Sequence, residues 1–328
     1  MLALIARRLA NSIAILMLST FVVFVLIALA GDPLGEMRDR QPPVPENVIH
    51  AEEVRLGLDQ PVVTRYFRWL GGVVQGDFGP SVKPNQNIGA ELAPRVSVTL
   101  RLVTVAIVIA LVLALIAGTV AALFRNRWAD HLISTSAFVL IALPSFWLAV
   151  LLKQLGIAIN KASGYRVFFT VGDVSVPAPQ DWLALVGDMA GHMILPTIVL
   201  TMIHYASWSR YQRTAIVESL SSEHVRFAVL RGLSRRRIIG SHVVRPALIP
   251  IVTVVALDLP ALFSGAVITE TVFQWRGMGG FLLESVANRD ANAVMAWLLI
   301  AAVAVVFFNL LADIVYAIID PRIRYGHA

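Results

Sequence analysis

None of the 328 residues is cysteine. Disulfides, thiolate metal sites and a cysteine nucleophile are therefore excluded, while the redox compartment stays undetermined. No G-x-x-x-x-G-K-[ST] phosphate loop occurs, so the chain does not hydrolyse ATP through a P-loop. Gly277-x-Gly279-Gly280 is a poor glycine-rich match and reads as a tight turn. A G-x-S-x-G elbow and an H-E-x-x-H helix are both missing. The seven histidines, at 50, 131, 192, 204, 224, 242 and 327, are scattered, with none at metal-ligand spacing on one helix. No catalytic residue, no metal site and no cofactor bound by this chain are expected. Charge is scarce as well: 15% of residues are charged against 57% hydrophobic, and the mean hydropathy is +0.74. That composition describes a polytopic, all-α membrane protein.

What is present begins with apolar runs. A membrane span needs about twenty apolar residues, and six runs qualify: 9–30, 99–124, 132–152, 193–206, 247–273 and 293–319. The fourth is the shortest and contains Pro196 and His204. Arg7 and Arg8 precede the first run, Arg125 and Arg127 follow the second, and Arg322 and Arg324 follow the sixth. With the arginines of 207–246 they fall on one side, which holds about fourteen basic and about four acidic residues. The excess of positive charge places both termini and that loop in the cytoplasm. It also accounts for the net charge of +6 without a nucleic-acid partner. Ala28-Leu29-Ala30 has the form of a signal-peptidase site. The apolar run before it exceeds the usual signal core of about 7–15 residues, so the first span reads as an uncleaved anchor.

The expected organisation is a cytoplasmic end and first span over 1–30, then an extracytoplasmic segment over 31–98. A permease domain follows over 94–318, with a cytoplasmic loop at about 213–246, and a cytoplasmic tail over 319–328. In the outer segment Pro42-Pro43-Val44-Pro45 reads as irregular or extended, then 47–56 as a helix ended by Gly57.

The cytoplasmic loop carries the most information. Over 223–232 it reads as a short helix, with Ser221 or Ser222 as N-cap and Gly232 as its stop. Val225, Ala228 and Val229 share one face at i, i+3, i+4 spacing. Such a helix either docks into a partner's cleft or lies on the lipid surface, held by its arginines. Arg235-Arg236-Arg237 reads as a positive-inside anchor.

This stretch resembles the coupling loop of the membrane subunits of bacterial ATP-driven importers, the binding-protein-dependent transport system inner-membrane component family. The aligned positions are Arg226, Phe227, Ala228 and Gly232, with Arg226 standing where the pattern has an acid and Phe227 where it has a small residue. Leu143-Pro144-Ser145-Phe146-Trp147, Ile194-Leu195-Pro196-Thr197, Thr269-Glu270-Thr271-Val272-Phe273 and Asp320-Pro321-Arg322 also resemble the peptide-permease branch, in collinear order. The resemblance implies a type I ABC importer permease with six transmembrane helices in the bacterial inner membrane, carrying oligopeptides or dipeptides. It implies a second homologous permease, two ATP-binding subunits that use ATP and Mg, an extracytoplasmic peptide-binding protein, and membrane lipid around the spans. Glu223, Val225, Arg226, Ala228, Val229, Arg231, Gly232, Leu233 and Ser234 would form the ATPase-coupling loop. A nickel or glutathione importer permease of the same family is the alternative cargo class.

Ionisable residues inside spans by default face the bundle interior or water. Asp258, beside Pro260, is a candidate for the translocation path, with His204 and Gly265; Asp258 alternatively pairs with a neighbouring span. Gly265 also belongs to a small-residue packing face. Asp313 reads as a structural intramembrane acid. Glu270, at the outer end of the fifth span, and Asp77 are candidate binding-protein contacts. From a different class, a proton-coupled secondary transporter would use Asp258 and Asp313 as a relay; it calls for inverted repeats, and none is visible.

Overall fold

The computed structural model describes residues 2–319, with the side chains of residues 2–9, 30, 36, 260–265 and 312–319 outside that description. Among the described residues there is no strand. The helices in chain order are α1 (Leu2–Ala30), α2 (Gly35–Arg38), α3 (Glu46–Leu56), α4 (Val62–Val74), α5 (Ile88–Leu123), α6 (Trp128–Ala142), α7 (Ser145–Ser163), α8 (Trp182–Leu220), α9 (Glu223–Leu230), α10 (Arg235–Arg237), a π-helical segment (Ile238–Val244), α11 (Arg245–Val272), α12 (Met278–Ala287) and α13 (Ala291–Ile319). Five stretches are long and apolar enough to cross a membrane: Ala10–Leu29, Ile88–Leu123, Trp182–Leu220, Arg235–Leu259 and Ala291–Leu311. A sixth candidate is the pair α6 and α7, bent by 104°.

That bend corrects the reading of 132–152 as one continuous span. Pro144 lacks an N–H and disfavours helical backbone at the residue before it. Leu143 accordingly sits at φ −81°, ψ 129°, and α7 restarts on Pro144 as its N-cap. Two other spans are longer than their apolar cores. α5 starts at Ile88, where Glu91 and Arg95 give a polar first portion that hydropathy does not register. α8 runs for 39 residues, about 58 Å at 1.5 Å per residue, roughly twice the hydrocarbon thickness.

The chain divides into two compact units, Met1–Thr99 with Arg276–Val306, and Leu100–Trp275 with Phe307–Ala328. In the first, α4 packs on α1 through Phe24, Tyr66 and Trp69, with Met295 of α13 in the same cluster. Tyr66 fits between aromatic edges, 5.1 Å from the Phe21 ring and 5.7 Å from Phe24. Its hydroxyl donates to the Met17 carbonyl at 3.0 Å and meets Thr20 Oγ1 at 3.0 Å, so the buried phenol is satisfied. The buried Asp290 carboxylate caps α13 by accepting from Ala293 N at 3.0 Å. It also holds the outer segment, accepting from Ser81 Oγ at 2.5 Å and Val82 N at 2.9 Å. Glu284 pairs with Lys83 and lies 3.5 Å from Arg95. The Lys83 hydrogen bond holds the Glu284 carboxyl below its ordinary range.

In the second unit α8 is the central element, flanked by α6, α7 and α11. Val103, Ala110 and Ala114 of α5 pack with Trp208 of α8 and with Ile251, Leu259 and Ala266 of α11. Gly118 sets the α5–α8 approach: a Cβ there would stand 2.5 Å from the Ser209 carbonyl and 2.7 Å from Gln212 Cβ. Only glycine admits that backbone contact.

Candidate coupling surface and intramembrane polar groups

α9 follows Ser222, whose extended backbone (φ −72°, ψ 151°) marks the N-cap position without a side-chain cap bond. Ser222 Oγ instead donates to the Ser219 carbonyl at 2.5 Å. The helix ends as the sequence predicts, on Gly232 at φ +71°. Gly232 N donates to Val229 O at 2.9 Å and Leu233 N to Ala228 O at 3.3 Å. This reciprocal pair is a Schellman stop, which needs a left-handed residue at the position of Gly232. Leu233 then folds back against the helix base.

The apolar face divides in a way that spacing alone did not show. Val225 and Ala228 are buried against Ala122, Ala215, Ile216, Ile238, Val243 and Ala247. Val229, grouped with them by periodicity, is instead 58% exposed, beside Phe227 at 62% and Leu230 at 81%. A helix of eight residues has room for one buried stripe, and Val225 with Ala228 fills it. Glu223, Arg226, Arg231, Gly232 and Ser234 are exposed around this apolar patch, with Leu233 half-buried.

The base of α9 is joined to α11 at backbone level. Pro246 cannot offer an N–H to the carbonyl four residues earlier, that of His242. That carbonyl accepts from His224 Nε2 of α9 at 3.0 Å and from Ser219 Oγ of α8 at 3.4 Å. Ser219 Oγ also reaches Val243 O at 3.1 Å. The last carbonyls of the π-helical turn are therefore tied to the two neighbouring helices, His242 O to both and Val243 O to α8. His224 is exposed and anchored by that bond.

Asp258 lies halfway along α11 and accepts from Trp208 Nε1 at 2.7 Å. Of the alternatives open for it, the structure presents a carboxylate paired with a neighbouring span. The His204 ring is 5.3 Å from that of Trp208, so Asp258 and His204 meet in one cluster through a tryptophan. The side chains of Pro260, Gly265 and Asp313 lie outside the described residues. Glu270 is 1% exposed, which corrects its reading as a solvated outer carboxylate free to dock a delivery protein. The chain turns back over it, with Trp275 N donating to the Glu270 carbonyl at 2.7 Å and Gly172 N to the Phe273 carbonyl at 2.9 Å. Asp77 is exposed and shapes its own turn, Oδ1 accepting from Gly79 N at 2.9 Å.

One strong interaction escaped the sequence. Buried Asp130, at the start of α6, accepts from Arg213 Nε at 2.6 Å and Arg213 Nη2 at 2.8 Å. It also accepts from Asn126 N at 2.9 Å and Ser134 Oγ at 3.2 Å. The two residues lie 83 positions apart, and each reads locally as ordinary flanking charge. Among the described residues no group of three His, Asp or Glu side chains could hold a metal ion.

Comparison with known proteins bears on these features. The family described as binding-protein-dependent transport system inner membrane component matches residues 110–325, and its N-terminal companion matches 1–102. The chain belongs to this family. Its segment 223–234 therefore lies in an inner-membrane transport component. The oligopeptide transport system permease protein OppB of Mycobacterium tuberculosis is 36% identical over 320 residues, covering 98% of each chain. The glutathione transport system permease protein GsiC of Escherichia coli is 34% identical over 327 residues, covering 99% of this chain and all of the relative. A structure of the MetNI methionine ABC transporter in inward-facing conformations superposes with a TM-score of 0.55 at 14% identity, covering 70% of this chain and 96% of that one. That likeness supports the type I ABC importer permease fold.

Proposed function

We propose that the chain forms half of the translocation pore of an ATP-driven peptide importer and is driven by separate ATPase subunits through α9. The observation that carries the coupling role is the division of α9. One face is packed and tied to α8 and α11, and the other presents Phe227, Val229 and Leu230 between Arg226 and Arg231. A helix lying on lipid would not need its base fixed to backbone carbonyls. One that passes a push to the spans does.

In this mechanism two ATP-binding subunits, using ATP and Mg, close on α9 and on the equivalent helix of a second homologous permease. The Schellman stop at Gly232 and the contacts at His242 transmit the displacement to α11 and to the inner end of α8. Trp208 and Asp258 lie on those two helices, so their hydrogen bond moves with them or breaks. The cavity switches between inward and outward openings, and an extracytoplasmic binding protein delivers the cargo. Peptide cargo rests on the oligopeptide-named relative; the similar glutathione-named one makes glutathione the rival. A proton relay through Asp258 gains nothing from a carboxylate already engaged by Trp208.

The test is purification of tagged chain from detergent-solubilised native membranes, with ATPase assayed with and without peptide. Co-purification of a second permease and P-loop subunits, with ATPase raised by peptides and not by glutathione, is expected. A chain that purifies alone and supports proton-coupled uptake overturns the reading. Stimulation by glutathione alone replaces the cargo.

A further inference from the structure

The bend between α6 and α7 opens a cavity of about 530 Å³ against α8. Its walls include Leu140 and Ile203, and its polar side chains include Ser145, Ser207, Arg210 and Tyr211. Among the described residues none of these four polar side chains makes a hydrogen bond or ion pair. The Arg210 guanidinium only lies over the Phe138 ring, 4.2 Å from its centroid. Arg210, grouped by sequence with the cytoplasmic arginines, lies on the continuous α8, and its exposed guanidinium has no carboxylate partner among the described residues.

Arg213, one turn later on α8, reaches Asp130 at the first turn of α6. Arg210 reaches Phe138, eight residues further along α6, about 12 Å by helical rise. The shift along α8 between the two arginines is only about 4.5 Å. Arg210 therefore meets α6 towards its α7 end, beside the bend that opens the cavity. It points towards a concave space of the size that small ligands fill, with hydroxyls beside a planar cation that matches a carboxylate.

We propose that this cavity is an inner subsite for the transported peptide, in which Arg210, with Ser145, Ser207 and Tyr211, receives the C-terminal carboxylate while Leu140 and Ile203 flank the last side chain. The inference rests on the peptide-importer reading. It adds a specificity element carried by the permease itself, separate from the binding protein.

The test uses the complete importer with its binding protein in proteoliposomes, comparing uptake of trialanine and trialanine amide. Wild type is expected to favour the free acid. Arg210→Gln lowers free-acid uptake about tenfold, the worth of one charge-assisted contact, and leaves amide uptake unchanged. Arg210→Lys restores part of the preference. Because the binding protein is the same throughout, a change in the acid-to-amide ratio belongs to this chain. An unchanged ratio in Arg210→Gln overturns the subsite while leaving peptide import standing. So does an equal loss for both peptides. A defect that appears only in phosphatidylglycerol-containing vesicles, whatever the peptide terminus, assigns Arg210 to lipid phosphate. Loss of the second permease on purification assigns it to the subunit interface. If wild type imports neither peptide, the peptide reading fails and the subsite with it.

Discussion

Two ion pairs, one in each unit, do different jobs. Asp130 and Arg213 form a two-pronged pair around a buried carboxylate that also accepts from a backbone amide and a serine. Lys83 and Glu284 pair with both side chains about two-fifths exposed, Glu284 also within reach of Arg95. In the first, the Asp130 side chain is only 4% exposed, so water substitutes poorly on its side, and the pair fixes the start of α6 on α8. In the second, water substitutes readily, and the buried Asp290 cap and the Tyr66 cluster hold the outer segment. The end proposed to transmit force thus includes a carboxylate only 4% exposed, where water competes least.

Removing each acid tests that contrast most strongly. Asp130→Ala removes a buried carboxylate with four hydrogen bonds and leaves the 29%-exposed Arg213 to water, at about 2 kcal/mol, whereas Glu284→Ala costs under about 1 kcal/mol. Denaturation midpoints of the purified chain in detergent check this, and equal losses would remove burial as the distinction. The two faces of α9 sharpen it next. Val225→Asp places a charge in the packed base and should lower stability by about 2–3 kcal/mol. Leu230→Asp changes stability by no more than about 0.5 kcal/mol yet abolishes peptide-stimulated ATPase. The same outcome for both variants in both assays would collapse the two-faced reading.

A smaller effect comes from the helix stop. Gly232→Ala forces a Cβ into left-handed backbone, at about 1 kcal/mol, and weakens coupling more than folding. Gly232→Pro, which also removes the N–H given to Val229, abolishes coupling while membrane insertion persists. ATPase stimulation and membrane fractionation separate the two. The smallest effect is a pH dependence at Glu284. Its carboxyl lies below the ordinary value because Lys83 hydrogen-bonds it. The pair therefore stabilises fully above the unfolded glutamate pKa and loses its contribution as pH falls through the folded one. Comparing stability at neutral and acidic pH in wild type and Glu284→Gln should show a slightly shallower acid loss in the variant.

α9 was legible because its signals are local. Gly232 ends it through its own left-handed backbone, and Ser222 marks its start by position although its hydroxyl makes no cap bond. The spans were legible for the same reason, since burial in lipid needs only a long enough apolar run. Local signals failed at three places. Hydropathy saw one run across Leu143-Pro144, although the proline carries a 104° bend. Periodicity placed Val229 with Val225 and Ala228, and Glu270 looked like a surface acid.

The sequence by itself determined a helical membrane chain without nucleotide-binding or metal-ligand motifs, its apolar spans, and a short basic-side helix ended by glycine. These follow from composition, hydrophobic length and backbone preference, which act over a few residues. Tertiary structure alone decided which face of α9 is free, that Trp208 holds Asp258, that Asp130 and Arg213 join helices 83 positions apart, and that Arg210 faces a cavity. Those outcomes depend on which side chains meet across helices, and no single stretch of sequence specifies its neighbours.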